Sequence, residues 1–260
     1  MKLKKYLIVS IIFLSVSTQE VFAEKKYNTS ELVNIAGMQR MLSQKIAKAY
    51  FFYGQGVRPD KTRKQLLDSI VLFDKNYNIL LSNNNDGNIT DMLVFIKMSK
   101  DELLPLAKES FSKDNGSLML DYSETLLEAS NDIVKRIEDT TKARKDKIVN
   151  LAGRQRMLTQ RIAKFYIAYQ SEFKDVNTIN QLRQSMKEFE EAHVFLAKNT
   201  QNSSQISTEL NKVAKLWNIV SKFYNDVERG GLPVIVLSST DKIMTSMNHV
   251  TKLYVELGKQ

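Results

Sequence analysis

The stretch VNIAGMQRMLSQKIAKAY, residues 33–50, decides how this chain folds, because the chain contains it twice. The second copy, VNLAGRQRMLTQRIAKFY, covers residues 149–166, and thirteen of its eighteen positions are identical to the first. Similarity continues in the same register and, with one extra residue, places Asn131 opposite Asn248. Self-similarity at a fixed spacing is typical of repeated structural units. We therefore interpret the chain as two copies of one module.

Each copy has the sequence features of four helices. The chain contains only three prolines and nine glycines, most of them between helical segments, and strand-type alternation is absent. In the first copy we expect a helix capped by Ser30 that ends near Gly54, a second helix over residues 61–81, a third capped by Thr90, and a break at residues 114–116 before the fourth. Short connections between such helices favour antiparallel bundles. The sequence thus predicts an all-α fold of two tandem antiparallel four-helix bundles.

The domain boundaries follow from the repeat. We expect a signal peptide over residues 1–23, a first four-helix module over residues 24–140 and a second over residues 141–260. No helix-breaking residue occurs between Asp139 and Asn150. One long continuous helix could therefore join the bundles, or a tight turn could separate them.

The N-terminus has the pattern of a secretory signal. Lys2, Lys4 and Lys5 precede an apolar run over residues 7–16, and small residues lead to a cleavage site after Ala23. The alternative is an uncleaved anchor, but the apolar run is shorter than the roughly 20 residues of a membrane span. We expect a periplasmic or secreted protein that does not span the membrane after cleavage.

Composition restricts the classes of function. The chain has no cysteine and two histidines, which argues against disulfides, thiolate metal sites and histidine-based catalysis. We expect no metal, no cofactor and no enzymatic activity, since neither a nucleophile–base pair nor a phosphate-binding loop is apparent. The formal net charge is +9. In an exported protein this charge favours anionic solutes, an acidic partner or a membrane surface over nucleic acid, or simply solubility.

The repeated stretch has two unlike faces when placed on a helical wheel. One half is identical in both copies, and all five differences lie in the other half. A constant polar face with small residues indicates that another element comes close to charged groups there, and glycine removes a side chain where a backbone or ligand approaches. The polar and glycine positions of the constant half are Asn34, Gly37, Arg40, Gln44 and Lys48, with Asn150, Gly153, Arg156, Gln160 and Lys164 in the second copy.

Two interpretations of this face remain open. It could be a plain helix–helix contact, in which Arg40 and Lys48 pair with carboxylates of neighbouring helices. It could also be an anion site, because an arginine in a bundle without a carboxylate partner is costly and a bound anion offsets that cost. A guanidinium group also matches planar oxyanions in a bidentate way.

Residues 150–164, NLAGRQRMLTQRIAK, closely resemble the signature of the PilJ-type N-terminal domain, the periplasmic sensing module of type IV pilus methyl-accepting chemotaxis transducers. That module is related to the sensing domain of nitrate/nitrite sensor kinases of the NarX and NarQ type, and the resemblance covers essentially the whole mature chain. In the nitrate sensors a similar stretch binds nitrate at a dimer interface, with one arginine from each subunit. The resemblance implies that Arg40 and Arg156 contact an anion and that Lys45 and Arg161 are a second basic position. Met38 stands where the second copy has Arg154.

The sequence therefore predicts an exported sensor-type binding protein for a small anion such as nitrate or nitrite, acting in signal transduction or chemotaxis. The two arginines could meet around one ligand, as in an intramolecular version of the sensor dimer. The alternative is a ligand-free helical interaction module that docks on a membrane receptor or pilus component. The predicted ligand-binding residues are Asn34, Gly37, Arg40, Gln44 and Lys45, and Asn150, Gly153, Arg156, Gln160 and Arg161.

Overall fold

The computed structural model of the chain describes residues 27–141 and 144–259. This part of the chain is helical and contains no strand, which confirms the predicted all-α bundle fold. The predicted signal peptide lies outside the described residues. The first module contains α1 (Thr29–Gly54), α2 (Pro59–Ser82), α3 (Gly87–Leu106) and α4 (Lys113–Thr141), and the second contains α5 (Arg144–Gln170), α6 (Val176–Ala197), α7 (Ser204–Asn225), a short 3-10 helix (Val227–Arg229) and α8 (Pro233–Lys259).

Two helix caps differ from the prediction. Asn28, not Ser30, caps α1, because its side chain accepts the Glu31 N–H while the Glu31 carboxylate accepts the Asn28 N–H, a reciprocal capping box. Asp86, not Thr90, caps α3, and the Thr90 hydroxyl instead donates to the Asp86 carbonyl one turn back. In both cases an earlier residue with an equally good capping side chain starts the helix.

The prediction of a helix break at residues 114–116 was wrong, because these residues lie in the first turn of α4. A Cβ atom at Gly116 would lie 2.6 Å from the ring of Phe173. The glycine is therefore a packing position within a helix, where it lets an aromatic side chain of the second module approach the α4 backbone.

The two modules lie side by side, and the most extensive contact between any two of the described helices joins α1 to α5. These two helices run parallel, since Arg40 meets Asn150 near the start of α5 and Phe51 meets Phe173 just past its end. Helix α4 runs antiparallel to α5, because Glu138 contacts Asn150 near the start of α5 and Glu124 contacts Lys164 further along it. This direction excludes one continuous helix through α4 and α5.

The constant half of the repeated stretch faces the other copy. Its residues are buried in both modules, apart from the half-buried Asn34 and Asn150. The prediction that another element approaches this face is confirmed, and the element is the equivalent helix of the second module. Among the described residues, no helix is both long and apolar enough to span a bilayer.

Candidate functional site: an arginine pair between the modules

Arg40 on α1 and Arg156 on α5 reach across the contact between the two modules. Side chains on a helix lean toward its N-terminus, so each arginine points back toward the start of the opposite helix. Nη2 of Arg40 donates to Oδ1 of Asn150 at 2.6 Å, and Nη2 of Arg156 donates to Oδ1 of Asn34 at 2.8 Å. The sequence placed these four residues on one face, and the structure brings them together.

Two further asparagines hold the other ends of the guanidinium groups. Nη1 of Arg40 donates to Asn131 on α4 at 3.2 Å, and Nη1 of Arg156 donates to Asn248 on α8 at 3.1 Å. Neither asparagine was predicted as a site residue. The signal that could have found them is their match between the two copies, since a polar residue retained on a bundle helix needs a polar partner.

The paired glycines make room for both arginines. A Cβ atom at Gly37 would lie 3.0 Å from Nη2 of Arg40 and 3.7 Å from Nη2 of Arg156. At Gly153 the corresponding distances are 3.3 Å to Arg156 and 3.5 Å to Arg40. Both guanidinium groups therefore lie over the same pair of glycines, next to each other. The two glycines leave space at the module contact, as the sequence predicted, and the ends of the two arginine side chains fill this space.

The pair carries two buried positive charges without a direct carboxylate partner. Arg40 is 3% exposed and Arg156 is 0% exposed, and within the described residues neither forms an ion pair. Burial lowers the pKa of both, and the neighbouring charges of Arg156 and Arg154 lower that of Arg40 further. The Nε atoms of both arginines have no hydrogen-bond partner in the described part of the chain. This site can therefore still accept negative charge.

Of the acidic side chains that the structure describes, Glu138 lies near the pair, on the Arg40 side. Nδ2 of Asn150 donates to Glu138 at 2.9 Å, and the Glu138 charge raises the pKa of Arg40, against the effect of burial. The matching position in the second module is Val255. The two halves of the site are thus related by the duplication but differ in charge.

A second polar layer crosses the module contact two turns further along α1 and α5. Nζ of the buried Lys48 contacts Oδ1 of Asp241 on α8 at 3.2 Å. Nζ of the buried Lys164 contacts Glu124 on α4 and donates to the hydroxyl of Ser123 at 3.0 Å. The interpretation in which Lys48 and Arg40 both pair with carboxylates of neighbouring helices is therefore right for Lys48. It is wrong for Arg40, which forms no ion pair within the described residues.

The remaining predicted site residues lie away from the arginine pair. Nε2 of Gln44 donates to the Ser123 carbonyl at 2.8 Å, whereas the buried amide of Gln160 has no partner among the described residues. Arg161 donates to Glu124 and, at 2.7 Å, to Gln181. Lys45 is partly buried, and burial lowers its pKa. The structure thus places Arg161 in the second polar layer, on Glu124, and Lys45 near the charge of Asp241 in the same layer, rather than beside the arginines.

Filling the space over the glycines should loosen the contact between the modules. We expect Gly37→Leu to lower the free energy of unfolding by about 1–3 kcal/mol, because the added side chain must displace two guanidinium groups. Gly87→Leu is the matched control, because nothing lies within 4 Å of a Cβ at Gly87. Urea unfolding measures both variants. Equal stability of the two variants would contradict the close approach of the guanidinium groups to Gly37.

The buried lysines predict an unusual pH dependence. Burial lowers the pKa of both Lys48 and Lys164 from 10.5 to about 8. Between pH 8 and pH 10 the unfolded chain then binds more protons than the folded chain, so stability should rise with pH, by up to about 1.4 kcal/mol per pH unit for each proton. Below pH 8 both states are protonated and this contribution is constant.

Urea unfolding from pH 7.5 to pH 10 tests that dependence. The Lys48→Met/Lys164→Met variant is the control, because it lacks both titrating groups and should show a flatter curve over this range. If the unfolding free energies of the wild type and the variant change with pH in parallel, the two lysines do not contribute to the pH dependence and the prediction is wrong.

The fold and the site define a class of protein: a duplicated helical bundle that buries a matched pair of cationic side chains between its two halves. Residues 22–96 and 140–243 match the PilJ family, "Type IV pili methyl-accepting chemotaxis transducer N-term". The chain belongs to this family, with one match in each copy, and so contains sensing modules of the kind used in signal transduction. No curated protein and no solved structure matches the chain.

Proposed function

We propose that this chain senses a small anion of the nitrate or nitrite type, bound between Arg40 and Arg156, and acts by binding rather than by catalysis. The observation that carries the proposal is the adjacent pair of buried guanidinium groups with no carboxylate ion pair among the described residues. Their mutual repulsion and their loss of hydration both oppose folding, and an anion between them would reduce both.

The chemistry of the donors favours a planar oxyanion. Each guanidinium presents five N–H groups in a plane, and the asparagine contacts leave donors such as the two Nε–H groups unused. A planar anion with several acceptor oxygens could bond to both arginines at once. The resemblance to nitrate sensors points to the same ligand class. Because the arginines share one location, we expect one anion per chain.

The same contacts suggest how binding is transmitted. Each arginine holds an asparagine of the opposite module through Nη2 and one of its own module through Nη1. An anion that draws the guanidinium groups toward itself would change these four contacts together. Since they join α1 to α5 and tie in α4 and α8, the packing of the two modules would respond to the ligand.

Titration with nitrate, nitrite and chloride at constant ionic strength tests the proposal. We expect nitrate or nitrite to raise the melting temperature, by an amount equivalent to about 2.7 kcal/mol at a hundred times the dissociation constant. Isothermal titration calorimetry should give one ligand per chain. If neither oxyanion moves the melting curve more than chloride does, the proposal fails.

We also propose that residues 1–23 direct export and are removed, so that sensing takes place in the periplasm or outside the cell. The support is the row of lysines, the apolar run, and the smaller residues Val21 and Ala23 that flank Phe22 just before Glu24. Mass spectrometry of the protein from cell fractions tests this. A mature chain that starts at Glu24 is expected, and a full-length chain retained in the membrane fraction would contradict cleavage.

A second candidate function is a ligand-free interaction module that docks on a membrane receptor or pilus component. The observation in its favour is that asparagine oxygens already accept hydrogen bonds from both arginines. Such a module should bind its partner equally well with and without nitrate. The anion sensor should bind it differently in the two conditions.

A further inference from the structure

A half-open groove with a volume of about 580 Å³ lies between the start of α5 and the end of α6. Ile148, Leu151 and Phe195 form its apolar part, and a second group of lining side chains is cationic. The volume falls within the range of small-molecule sites, about 300–1,000 Å³. The cationic lining residues are Lys147, Arg154 and Lys198.

The groove has an exposed aromatic residue beside uncompensated charge. Phe195 is 59% exposed, so a flat apolar ligand could cover it. Arg154 pairs with Glu188 of α6 at 2.6 Å, which fixes its guanidinium group. Within the described residues, Lys147 and Lys198 form no ion pair, and none of the residues that line the groove there is acidic. The groove is therefore complementary to an anion with an apolar body.

The first module does not share this chemistry. The positions that match Lys147, Arg154 and Lys198 are Glu31, Met38 and Ser82. The two modules thus have the same residues on the face between α1 and α5. In contrast, all three cations of the groove occur in the second module alone.

We propose that this groove is a second ligand site, for an organic anion with a flat apolar body, such as an aromatic carboxylate or sulfonate. The ring covers Phe195 and Leu151, and the anionic group lies among the three cations. Nitrate has no apolar surface to bury against Phe195, so the two sites of the chain take different ligands. The proposal stands on the groove alone and does not depend on an anion between Arg40 and Arg156.

The groove also touches the arginine pair. Asn150 lines the groove, and its Oδ1 accepts the 2.6 Å hydrogen bond from Nη2 of Arg40. The charge of Arg154 lowers the pKa of Arg40, so the two cations interact. A ligand in the groove would act on Arg40 through both routes. This coupling, unlike binding in the groove, rests on the proposed function of the arginine pair.

Calorimetric titration of the mature chain with naphthalene-1-sulfonate tests the site. We expect Arg154→Met/Lys198→Ser, which introduces the first-module residues, to weaken binding about tenfold. Lys215→Met/Lys242→Thr is the matched control, because it removes the same charge on another surface and also introduces the first-module residues. It should bind within about twofold of wild type. Lys198→Ser alone, at an exposed position, provides the test if the double variant does not fold.

Two further measurements identify the ligand class and separate this proposal from the previous one. Phe195→Ile, the first-module residue, should weaken naphthalene-1-sulfonate binding about threefold or more, because the ring loses its aromatic contact. Arg40→Gln should retain binding of the probe even if it loses nitrate. Equal weakening by the groove and control variants, or equally tight binding of inorganic sulfate in place of the probe, would overturn the proposal.

Discussion

Replacing either Arg40 or Arg156 with glutamine is expected to abolish the nitrate-dependent rise in melting temperature of the whole chain, and not to halve it. The two guanidinium groups lie over the same glycines, so one anion would contact both. Glutamine can still donate a hydrogen bond to asparagine but carries no charge. Removing one member of a buried charge pair costs about 2–5 kcal/mol, so affinity should fall about 30-fold or more. Calorimetry with nitrate measures the loss.

The control variant is Lys45→Gln, which removes a positive charge from the same helix at a position away from the arginine pair. It should change nitrate affinity by about threefold at most. It also tests the implication of the resemblance that Lys45 belongs to the site. If Arg40 and Arg156 each formed an independent site, each arginine variant would still bind half as many nitrate ions per chain as the wild type. That outcome would refute a ligand shared by the two arginines.

The periodicity of the repeated stretch predicted the central helix face, whereas the idea that the two copies meet came only from the resemblance to the sensor dimer. Periodicity on α1 separates a constant face from a variable one, and the structure buries the constant face. Nothing in one helix specifies which helix lies opposite, so the parallel contact of α1 with α5 and the side-by-side arrangement had to come from the structure. The capping errors have a local cause, since several good capping residues stand within a few positions of each helix start. The error at Gly116 came from a distant residue, Phe173.

The sequence predicted the site residues that lie within the repeated stretch, and it missed those that lie outside it. Asn34, Arg40 and their counterparts recur on one helix face, so spacing alone groups them. Asn131 and Asn248 come from α4 and α8, about 90 residues away from the arginines that they contact. The sequence shows that they match each other but not what they touch. Lys45 and Arg161 entered through the resemblance, although the helical wheel already placed them on the variable half.

Glu124→Gln is expected to lower the free energy of unfolding by about 3–5 kcal/mol, the largest effect on stability that we predict. The variant leaves the fully buried Lys164 without a carboxylate, and Arg161 loses the same partner. Although burial acts to raise it, the charges of Lys164 and Arg161 lower the pKa of Glu124 to about 2. This contribution to stability should therefore be fully present above pH 4.5, where the group is ionised in both states, and should be lost progressively as the pH falls from 4.5 to 2.

Two comparisons show whether an uncompensated charge is the cause. Asp68→Asn removes the carboxylate of the exposed pair with Lys64, and it should change stability by less than about 0.5 kcal/mol. Glu124→Leu/Lys164→Met removes both charges of the buried pair, and it should recover most of the stability that Glu124→Gln loses, because the fully buried charge of Lys164 is then gone and only Arg161, whose side chain is 13% exposed, lacks its carboxylate. A double variant as unstable as Glu124→Gln would mean that the packing of Glu124 matters more than its charge. The contact between the two modules would then depend on shape rather than on the cross-module ion pairs.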